Sequence, residues 1–223
     1  AAAKAAEFAI RVRDELGVVF RVINLGGGFG IRYTAEDKPL PAATYVHAIA
    51  DAVRTNFTAA GYPQPEIWIE PGRSIIGDAG TTLYTVGTTK EIPGIRKYVA
   101  VDGGMTDNPR PALYGSKYEA VLANRMNEPA TETVSIAGKC CESGDMLIWD
   151  IELPPVKPGD LLAVFCTGAY NYAMSSNYNR IPRPAVVFVK DGQASLVVRR
   201  ETYEDIVGCD LLPERLKAAT AAN

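Results

Sequence analysis

The sequence lacks the features of several large protein classes. Among its 223 residues there is no apolar run long enough to span a bilayer, and the alanine-rich start carries charges unlike a secretory signal. Lys and Arg number 23 against 26 Asp and Glu, a formal net charge of −3. This balance argues against nucleic acid or an anionic membrane as the main partner, because both select for clustered basic residues. A small molecule is the favoured ligand.

Cysteine and histidine are scarce. The four cysteines, Cys140, Cys141, Cys166 and Cys209, include an adjacent pair, and none has the spacing of zinc ligands. We therefore expect no metal site, and reduced thiols in a cytosol-like compartment. The single histidine, His47, lies on a predicted helix and is expected to be a surface or packing residue.

Glycine, in contrast, is concentrated in one segment, Gly26-Gly27-Gly28-Phe29-Gly30, which follows a strand-like apolar run. Glycines allow positive φ and let successive N–H groups turn toward one point, which is how a loop receives a phosphate. The spacing fits neither the dinucleotide fingerprint nor a Walker loop. A mononucleotide-like or pyridoxal-type phosphate would fit, and a tight structural turn is the alternative.

The order of predicted elements divides the chain into two parts. Helices over residues 1–16 and 42–60 alternate with strand-like runs at 18–22 and 66–70, which predicts parallel strands with crossover helices. Two such units are too few for a closed eight-stranded barrel, so this part resembles the end of a larger α/β domain. From about residue 81, short β-branched and aromatic runs predict an antiparallel β domain. We thus expect an α/β domain at 1–80 and an all-β domain at 81–223.

The β part contains one clear hairpin signal, Asp191-Gly192, and ends in a tail expected to be helical or frayed from residue 202. Its predicted strands are Thr82–Lys90, Arg96–Val101, Thr133–Ile136, Asp160–Cys166, Pro184–Lys190 and Ala194–Arg200.

Groups capable of chemistry occur in four predicted loops. Glu70-Pro71-Gly72-Arg73 follows a strand, where a carboxylate could keep a pyridine nitrogen protonated, although a local Glu–Arg ion pair is the simpler alternative. The other loops, in the β part, are rich in Arg, Tyr, Cys and Glu; they span 107–114, 140–145 and 168–179. Taken singly, Arg110, Tyr114, Cys141 and Tyr170 have ordinary structural explanations.

Taken together, these segments resemble the diaminopimelate decarboxylases over nearly the whole chain. The resemblance implies a fold type III pyridoxal-phosphate enzyme, in which a (β/α)8 barrel precedes a β domain, working as a head-to-tail homodimer with active sites at the interface. The segments that carry it are Gly26-Gly27-Gly28-Phe29-Gly30, Glu70-Pro71-Gly72-Arg73-Ser74, Arg110-Pro111-Ala112-Leu113-Tyr114, Cys141-Glu142-Ser143-Gly144-Asp145 and Met174-Ser175-Ser176-Asn177-Tyr178-Asn179.

The resemblance also implies roles for single residues. The loop around Gly28 and the Pro71-Gly72-Arg73 backbone would hold the cofactor phosphate, and Glu70 would face the pyridine nitrogen. Tyr170 would approach cofactor and substrate, while Arg73, Arg110 and Tyr114 would grip the distal carboxylate of diaminopimelate. Glu142 would pair with the distal ammonium, and Cys141, reaching in from the partner subunit, would donate the proton that replaces CO2.

One family feature is missing from the sequence. The family's Schiff-base lysine lies in a Tyr-Ala-x-Lys context, which surrounds none of the lysines here. We therefore expect a C-terminal portion that is inactive alone and belongs to an enzyme converting meso-2,6-diaminopimelate to L-lysine. Alternatives are a related decarboxylase of ornithine, arginine or carboxynorspermidine, and a non-catalytic dimerisation or regulatory module. The expected location is the cytoplasm, or the plastid stroma for a plant or algal source.

Overall fold

The computed structural model describes residues 1–217, which form two compact units. The first comprises Ala1–Tyr84, Lys117–Ala130 and Asp160–Tyr170; the second comprises Thr85–Ser116, Thr131–Gly159 and the residues from Asn171 onward. Both units draw on the chain beyond residue 81, and the division into domains at residues 80 and 81 stays a prediction.

The secondary structure of the described residues mixes helices and strands. The helices are α1 (Ala2–Leu16), α2 (Ala42–Ala59), α3 (Gly72–Ile76), α4 (Arg110–Tyr114), α5 (Tyr203–Val207) and α6 (Glu214–Lys217). The strands are β1 (Val22–Asn24), β2 (Glu66–Trp68), β3 (Thr81–Ile92), β4 (Arg96–Val101), β5 (Ala120–Leu122), β6 (Glu132–Ala137), β7 (Met146–Leu153), β8 (Leu161–Phe165), β9 (Val186–Lys190) and β10 (Gln193–Val198).

The first unit contains the predicted α/β arrangement. β1 and β2 pair in parallel, with Ile23 opposite Ile67. Helix α1 ends at Gly17, whose φ of 71° supplies the left-handed residue that closes a helix. Its buried alanines pack with Val53 and Phe57 of α2, and Phe57 is fully buried. The α/β prediction is confirmed for this segment, and its place at the end of an eightfold barrel stays a prediction.

Strand β3 is long enough to belong to both units, and the sheet around it has the order β5-β8-β3-β4-β6-β7. In the first unit, β5 pairs antiparallel with β8. In the second, β3 pairs antiparallel with β4 and β6 pairs antiparallel with β7, whereas β4 and β6 run in parallel. The prediction of an antiparallel β domain is therefore wrong at the β4–β6 pair. The long segment between these two strands permits the crossover that a parallel pair needs.

The core of the second unit includes Val99, Val134 and Ile136, which are almost completely buried. Strands β9 and β10 form a separate antiparallel hairpin, as predicted, and its turn residues Asp191 and Gly192 both have positive φ. The side chains of Phe188 and Val189 on this hairpin are exposed.

The tail from residue 202 contains the two short helices α5 and α6, and residues 208–213 between them are not helical. Residues 218–223 lie outside the described part of the chain. No helix within residues 1–217 has the length and apolar character needed to cross a membrane.

Candidate functional site

In the first unit, the glycine segment forms a cradle beyond the ends of β1 and β2. Gly26 and Gly28 have φ of 70° and 91°, as the segment's composition predicts. A Cβ atom on Gly27 would overlap the carbonyl oxygen of Glu70, so this position requires glycine. The Glu70 amide donates to the Gly26 carbonyl oxygen over 2.8 Å, which holds the two strand ends together.

Glu70 is fixed within this cradle by Asn24, the last residue of β1. The Asn24 Nδ2 donates to Glu70 Oε1 over 2.6 Å, and Asn24 Oδ1 accepts the Gly26 amide over 2.9 Å. One amide side chain thus joins the carboxylate to the glycine segment. The alternative interpretation, a local Glu–Arg ion pair, is not found among the ion pairs of the described residues, where Glu70 is bound by an amide instead.

Arg73 lies in α3, directly after the Glu70-Pro71-Gly72 turn, and is half-buried. Its guanidinium carbon lies 5.9 Å from the centre of the Tyr33 ring, and Tyr33 meets the Tyr118 ring edge to face at 5.4 Å. A stacked guanidinium keeps its N–H groups available in the plane of the group. Arg73 is therefore supported from one side and can still bind an anion.

Tyr170 lies on the loop that follows β8. Its φ of 63° is unusual for a residue with a side chain, and such strain is commonly found at functional sites. Two residues earlier, the Gly168 amide donates to the Gly77 carbonyl oxygen over 3.1 Å, and a Cβ atom on Gly168 would overlap the Ile76 carbonyl oxygen. The segment leading to Tyr170 is thus held against the end of α3, the helix that carries Arg73.

In the second unit, Arg110 and Tyr114 occupy opposite ends of the short helix α4. The Arg110 guanidinium carbon lies 5.6 Å from the centre of the Tyr114 ring, and Arg110 Nη2 donates to Ser116 Oγ over 3.2 Å. Tyr114 is 63% exposed. The structure therefore brings together this predicted pair of substrate-binding residues, with an exposed phenol beside a guanidinium.

The second predicted cluster of this unit, residues 140–145, lies in the segment Lys139–Asp145, called here the thiol loop. The Glu142 amide donates to the Cys140 carbonyl oxygen over 2.8 Å, so Cys141 occupies the apex of a tight turn. Both Cys141 and Glu142 are exposed. Tyr178 from the loop after β8 donates its hydroxyl proton to Glu142 Oε2 over 3.3 Å.

The two cysteines of the thiol loop lie in different environments. Burial raises the pKa of Cys140 to about 11, and the nearby Asp145 charge adds to the effect. The negative charge of Glu142, followed by burial, raises the pKa of Tyr178, which therefore stays a protonated donor at neutral pH. Cys140 is accordingly a poor source of thiolate, while Cys141 is the exposed thiol of the pair.

Hydrogen bonds connect three segments of the second unit that contain predicted site residues. The Ser176 amide donates to the Thr106 carbonyl oxygen over 2.9 Å, and the Lys139 amide donates to the Gly103 carbonyl oxygen over 3.0 Å. The segments at 138–145 and 171–180 are thus both tied to the segment at 102–116. The prediction of a loop at 107–114 is wrong in part, because Arg110–Tyr114 forms helix α4. The roles assigned to the side chains of these segments stay predictions.

Sequence reasoning missed the residues that hold the predicted ones. Asn24 could have been noticed because it ends a strand two residues before the first glycine of the segment. Tyr178 lies within the Met174–Asn179 motif, but nothing in the local sequence indicates its bond to Glu142. Tyr33 carried no signal in the sequence, since its contact with Arg73 depends on the fold.

Comparison with known proteins gives a consistent result. Residues 18–168 match the family described as pyridoxal-dependent decarboxylase, C-terminal sheet domain. The chain is 70% identical over 199 residues to the diaminopimelate decarboxylase of Bacillus subtilis, which covers 89% of the chain and 45% of that relative. It is 58% identical over 205 residues to the diaminopimelate decarboxylase of Halalkalibacterium halodurans, covering 92% of the chain and 47% of that relative.

Among solved structures, the diaminopimelate decarboxylase of M. jannaschii in complex with L-lysine is similar to the chain with a TM-score of 0.88 and 35% identity. The match covers 96% of the chain and 48% of that structure. The chain thus spans about half the length of the relatives it matches.

Proposed function

The chain belongs to the family of pyridoxal-dependent decarboxylases through their C-terminal sheet domain, and we propose that it forms part of a diaminopimelate decarboxylase, which converts meso-2,6-diaminopimelate to L-lysine and CO2. The proposal is supported by 70% identity to the Bacillus subtilis diaminopimelate decarboxylase across 89% of the chain. The whole enzyme, its substrate and its subunit arrangement are parts of the proposal, because the chain spans only part of these relatives.

The first unit has groups suited to pyridoxal 5′-phosphate. The cradle at Gly28 has no atom within 4 Å of the place a Cβ would take, which leaves room for a phosphate near the backbone. We assign the phosphate to Gly28 and to the Pro71-Gly72-Arg73 backbone, and the pyridine nitrogen to Glu70. When bound, the cofactor ring accepts the electron pair left by the departing CO2.

Glu70 serves this chemistry as a carboxylate that faces the pyridine nitrogen. A negative group favours the protonated form of a nitrogen facing it. The bond from Asn24 Nδ2 sets the orientation of the carboxylate. Arg73, supported by Tyr33, and Tyr170 are the residues of this unit that we assign to the substrate as well.

The observation that carries the substrate assignment is the Glu142–Tyr178 hydrogen bond. It presents a negative carboxylate next to Cys141, in the same unit as the Arg110–Tyr114 pair. An ammonium group pairs with the carboxylate, and a carboxylate pairs with the forked guanidinium. Diaminopimelate has both groups at its distal end, whereas ornithine has no distal carboxylate for the Arg110 guanidinium to bind.

We assign the proton that replaces CO2 to the Cys141 thiol. Its exposed position at the apex of a turn suits delivery into a site completed by a second copy of the enzyme, so we propose a homodimer. The thiol must stay reduced for this role. A cytoplasmic location, or the stroma of a plastid, meets that requirement.

The full-length enzyme tests this proposal with meso-diaminopimelate, ornithine, arginine and carboxynorspermidine as separate substrates. We expect turnover of diaminopimelate to exceed that of the others by at least a hundredfold. Cys141→Ala should abolish most of this turnover, while Cys140→Ser, the matched neighbour, should retain it. Equal turnover of ornithine would overturn the substrate assignment, and unchanged turnover in Cys141→Ala would overturn the role of the thiol.

A further inference from the structure

The carboxylate of Asp145 organises the thiol loop, and this residue is only 3% exposed to solvent. Its Oδ1 accepts the Met105 amide over 2.6 Å and its Oδ2 accepts the Cys140 amide over 2.8 Å. Its backbone is engaged as well, since its amide donates to the Glu142 carbonyl oxygen over 3.0 Å and its carbonyl oxygen accepts the Gly138 amide over 2.8 Å. One residue therefore ties both ends of the thiol loop and connects it to a neighbouring loop.

Two glycines make room for this carboxylate. A Cβ atom on Gly104 would lie 2.5 Å from Asp145 Oδ2, and a Cβ atom on Gly138 would overlap the same carboxylate. Neither glycine can be replaced by a residue with a side chain unless the carboxylate moves. The backbone on both sides is thus shaped around the two oxygens of Asp145.

From these contacts we propose that Asp145 is a positioning residue, which holds Cys141 and Glu142 in place by binding the backbone of two loops. The turn that exposes Cys141 begins at Cys140, whose amide is bound by one carboxylate oxygen. The same turn sets the direction of Glu142, whose carboxylate meets Tyr178. The effect on catalysis rests on the proposed function; the effect on the loops does not.

The chemistry of the carboxylate explains why aspartate is required. An ionised carboxylate accepts hydrogen bonds through both oxygens, whereas an amide of the same shape accepts through one and donates through the other. In Asp145→Asn, an N–H group would face one of the two backbone N–H donors. That donor would be left without an acceptor inside the protein, which is costly in a buried site.

Hydrogen exchange on the chain itself tests the loop contacts. In Asp145→Asn we expect amide exchange at residues 103–107 and 138–142 to accelerate at least tenfold, while the strands β6 and β7 keep their protection. Gly138→Ala keeps the charge of Asp145 but displaces its carboxylate, and it should accelerate the same amides. Because Asp145→Asn could fail to fold, Gly138→Ala also serves as an independent test.

Asp160→Asn provides the matched control. Asp160 is a buried aspartate in the first unit, where its partners are Asn124 and Arg125 side chains. Its replacement should lower the melting temperature without accelerating exchange in the thiol loop. Unchanged amide exchange in both Asp145→Asn and Gly138→Ala would overturn the proposal. Accelerated exchange at residues 103–107 and 138–142 in Asp160→Asn would also overturn it, because the effect would then not depend on Asp145.

The full-length enzyme supplies a second readout. Asp145→Asn should lower kcat, because Cys141 is displaced, and raise KM for diaminopimelate, because Glu142 is displaced, each at least threefold. Asp160→Asn, measured per folded molecule, should change neither constant. If amide exchange in the two loops accelerates in Asp145→Asn but the unsubstituted enzyme does not decarboxylate diaminopimelate, the proposed function is wrong. The positioning of the thiol loop by Asp145 is then still supported. If both constants are unchanged in Asp145→Asn, the positioning role fails.

Discussion

The side-chain amide of Asn24 donates a hydrogen bond of 2.6 Å to Glu70 Oε1, from the end of one parallel strand to the residues that follow the next. The same side chain accepts a hydrogen bond from the Gly26 amide. A glutamate at the end of a strand would otherwise sample several rotamers. Asn24 therefore sets the carboxylate in a fixed relation to the glycine segment.

Removal of this amide should weaken cofactor binding. A hydrogen bond to a charged group contributes about 1.5–3 kcal/mol, so Asn24→Ala should weaken pyridoxal phosphate binding by roughly tenfold or more. Titration of the full-length enzyme with the cofactor, followed by absorbance, measures the effect. Asn56→Ala is the control, because the Asn56 side chain donates to the Ala52 carbonyl oxygen within its own helix. An unchanged affinity in Asn24→Ala would contradict the assignment.

Asn24→Asp makes a sharper test of the same contact. The new carboxylate would repel Glu70 at the position where the amide now donates to it, so the orientation of Glu70 would be lost. We expect Asn24→Asp to weaken pyridoxal phosphate binding more than Asn24→Ala does, in the same titration of the full-length enzyme. An affinity equal to that of the unsubstituted enzyme would count against the role of Glu70.

Gly27→Ala should destabilise the first unit. The new methyl group would overlap the Glu70 carbonyl oxygen, which belongs to the backbone and cannot rotate away. Overpacking of this kind typically costs about 1–3 kcal/mol. Thermal unfolding of the chain measures the loss. Gly87→Ala in β3 is the matched control, because its new Cβ would lie an ordinary 3.6 Å from the Ala100 carbonyl oxygen; equal melting temperatures for the two variants would refute the clash.

Tyr178→Phe should affect substrate binding more than turnover. The phenylalanine keeps the ring but removes the hydroxyl that donates to Glu142. A neutral donor to a carboxylate contributes on the order of 1 kcal/mol, so KM for diaminopimelate should rise about fivefold with kcat nearly constant. Tyr203→Phe, at a largely exposed tyrosine of the same unit, should leave both constants unchanged. A fall in kcat with constant KM would place Tyr178 in the chemical step instead.

The stability of the second unit should decrease in acid through Asp150. Hydrogen bonds from Arg96, followed by Ser135, hold the pKa of Asp150 below its ordinary value of 3.8. A carboxyl group whose pKa is lower in the folded than in the unfolded protein stabilises the fold at pH values above its unfolded pKa. This contribution to stability is lost as the pH falls through the pKa of the folded state. Melting temperatures measured from pH 7 to pH 3 should fall less in Asp150→Asn than in the original chain, with exposed Asp51→Asn as the control. Parallel curves for all three would exclude this linkage.

The sequence predicted well those elements that depend on local patterns. Helices α1 and α2, the parallel pair β1–β2 and the hairpin at Asp191-Gly192 follow from helical spacing, apolar runs and turn residues. Strands β5 and β7 were missed. The three residues of β5 are too few to show an alternating pattern, and along β7 buried and exposed residues do not alternate.

The candidate site was predicted as a set of separate loops rather than as an arrangement. Glycine spacing indicated the cradle, and motif resemblance indicated Cys141 and Glu142. The contacts that hold these residues, Asn24 with Glu70, Tyr178 with Glu142 and Asp145 with Cys140, connect segments far apart or depend on buried backbone donors. Such contacts are decided by tertiary packing, for which the local pattern contains no signal.

The hairpin of β9 and β10 has a consequence for how the native state opens. Among the described residues these two strands pair only with each other, and most of their side chains face solvent. An isolated two-stranded ribbon is marginally stable in water. The hydrogen bonds between β9 and β10 should therefore break and re-form many times while the β4–β6–β7 sheet stays folded. Opening of this hairpin requires much less free energy than global unfolding.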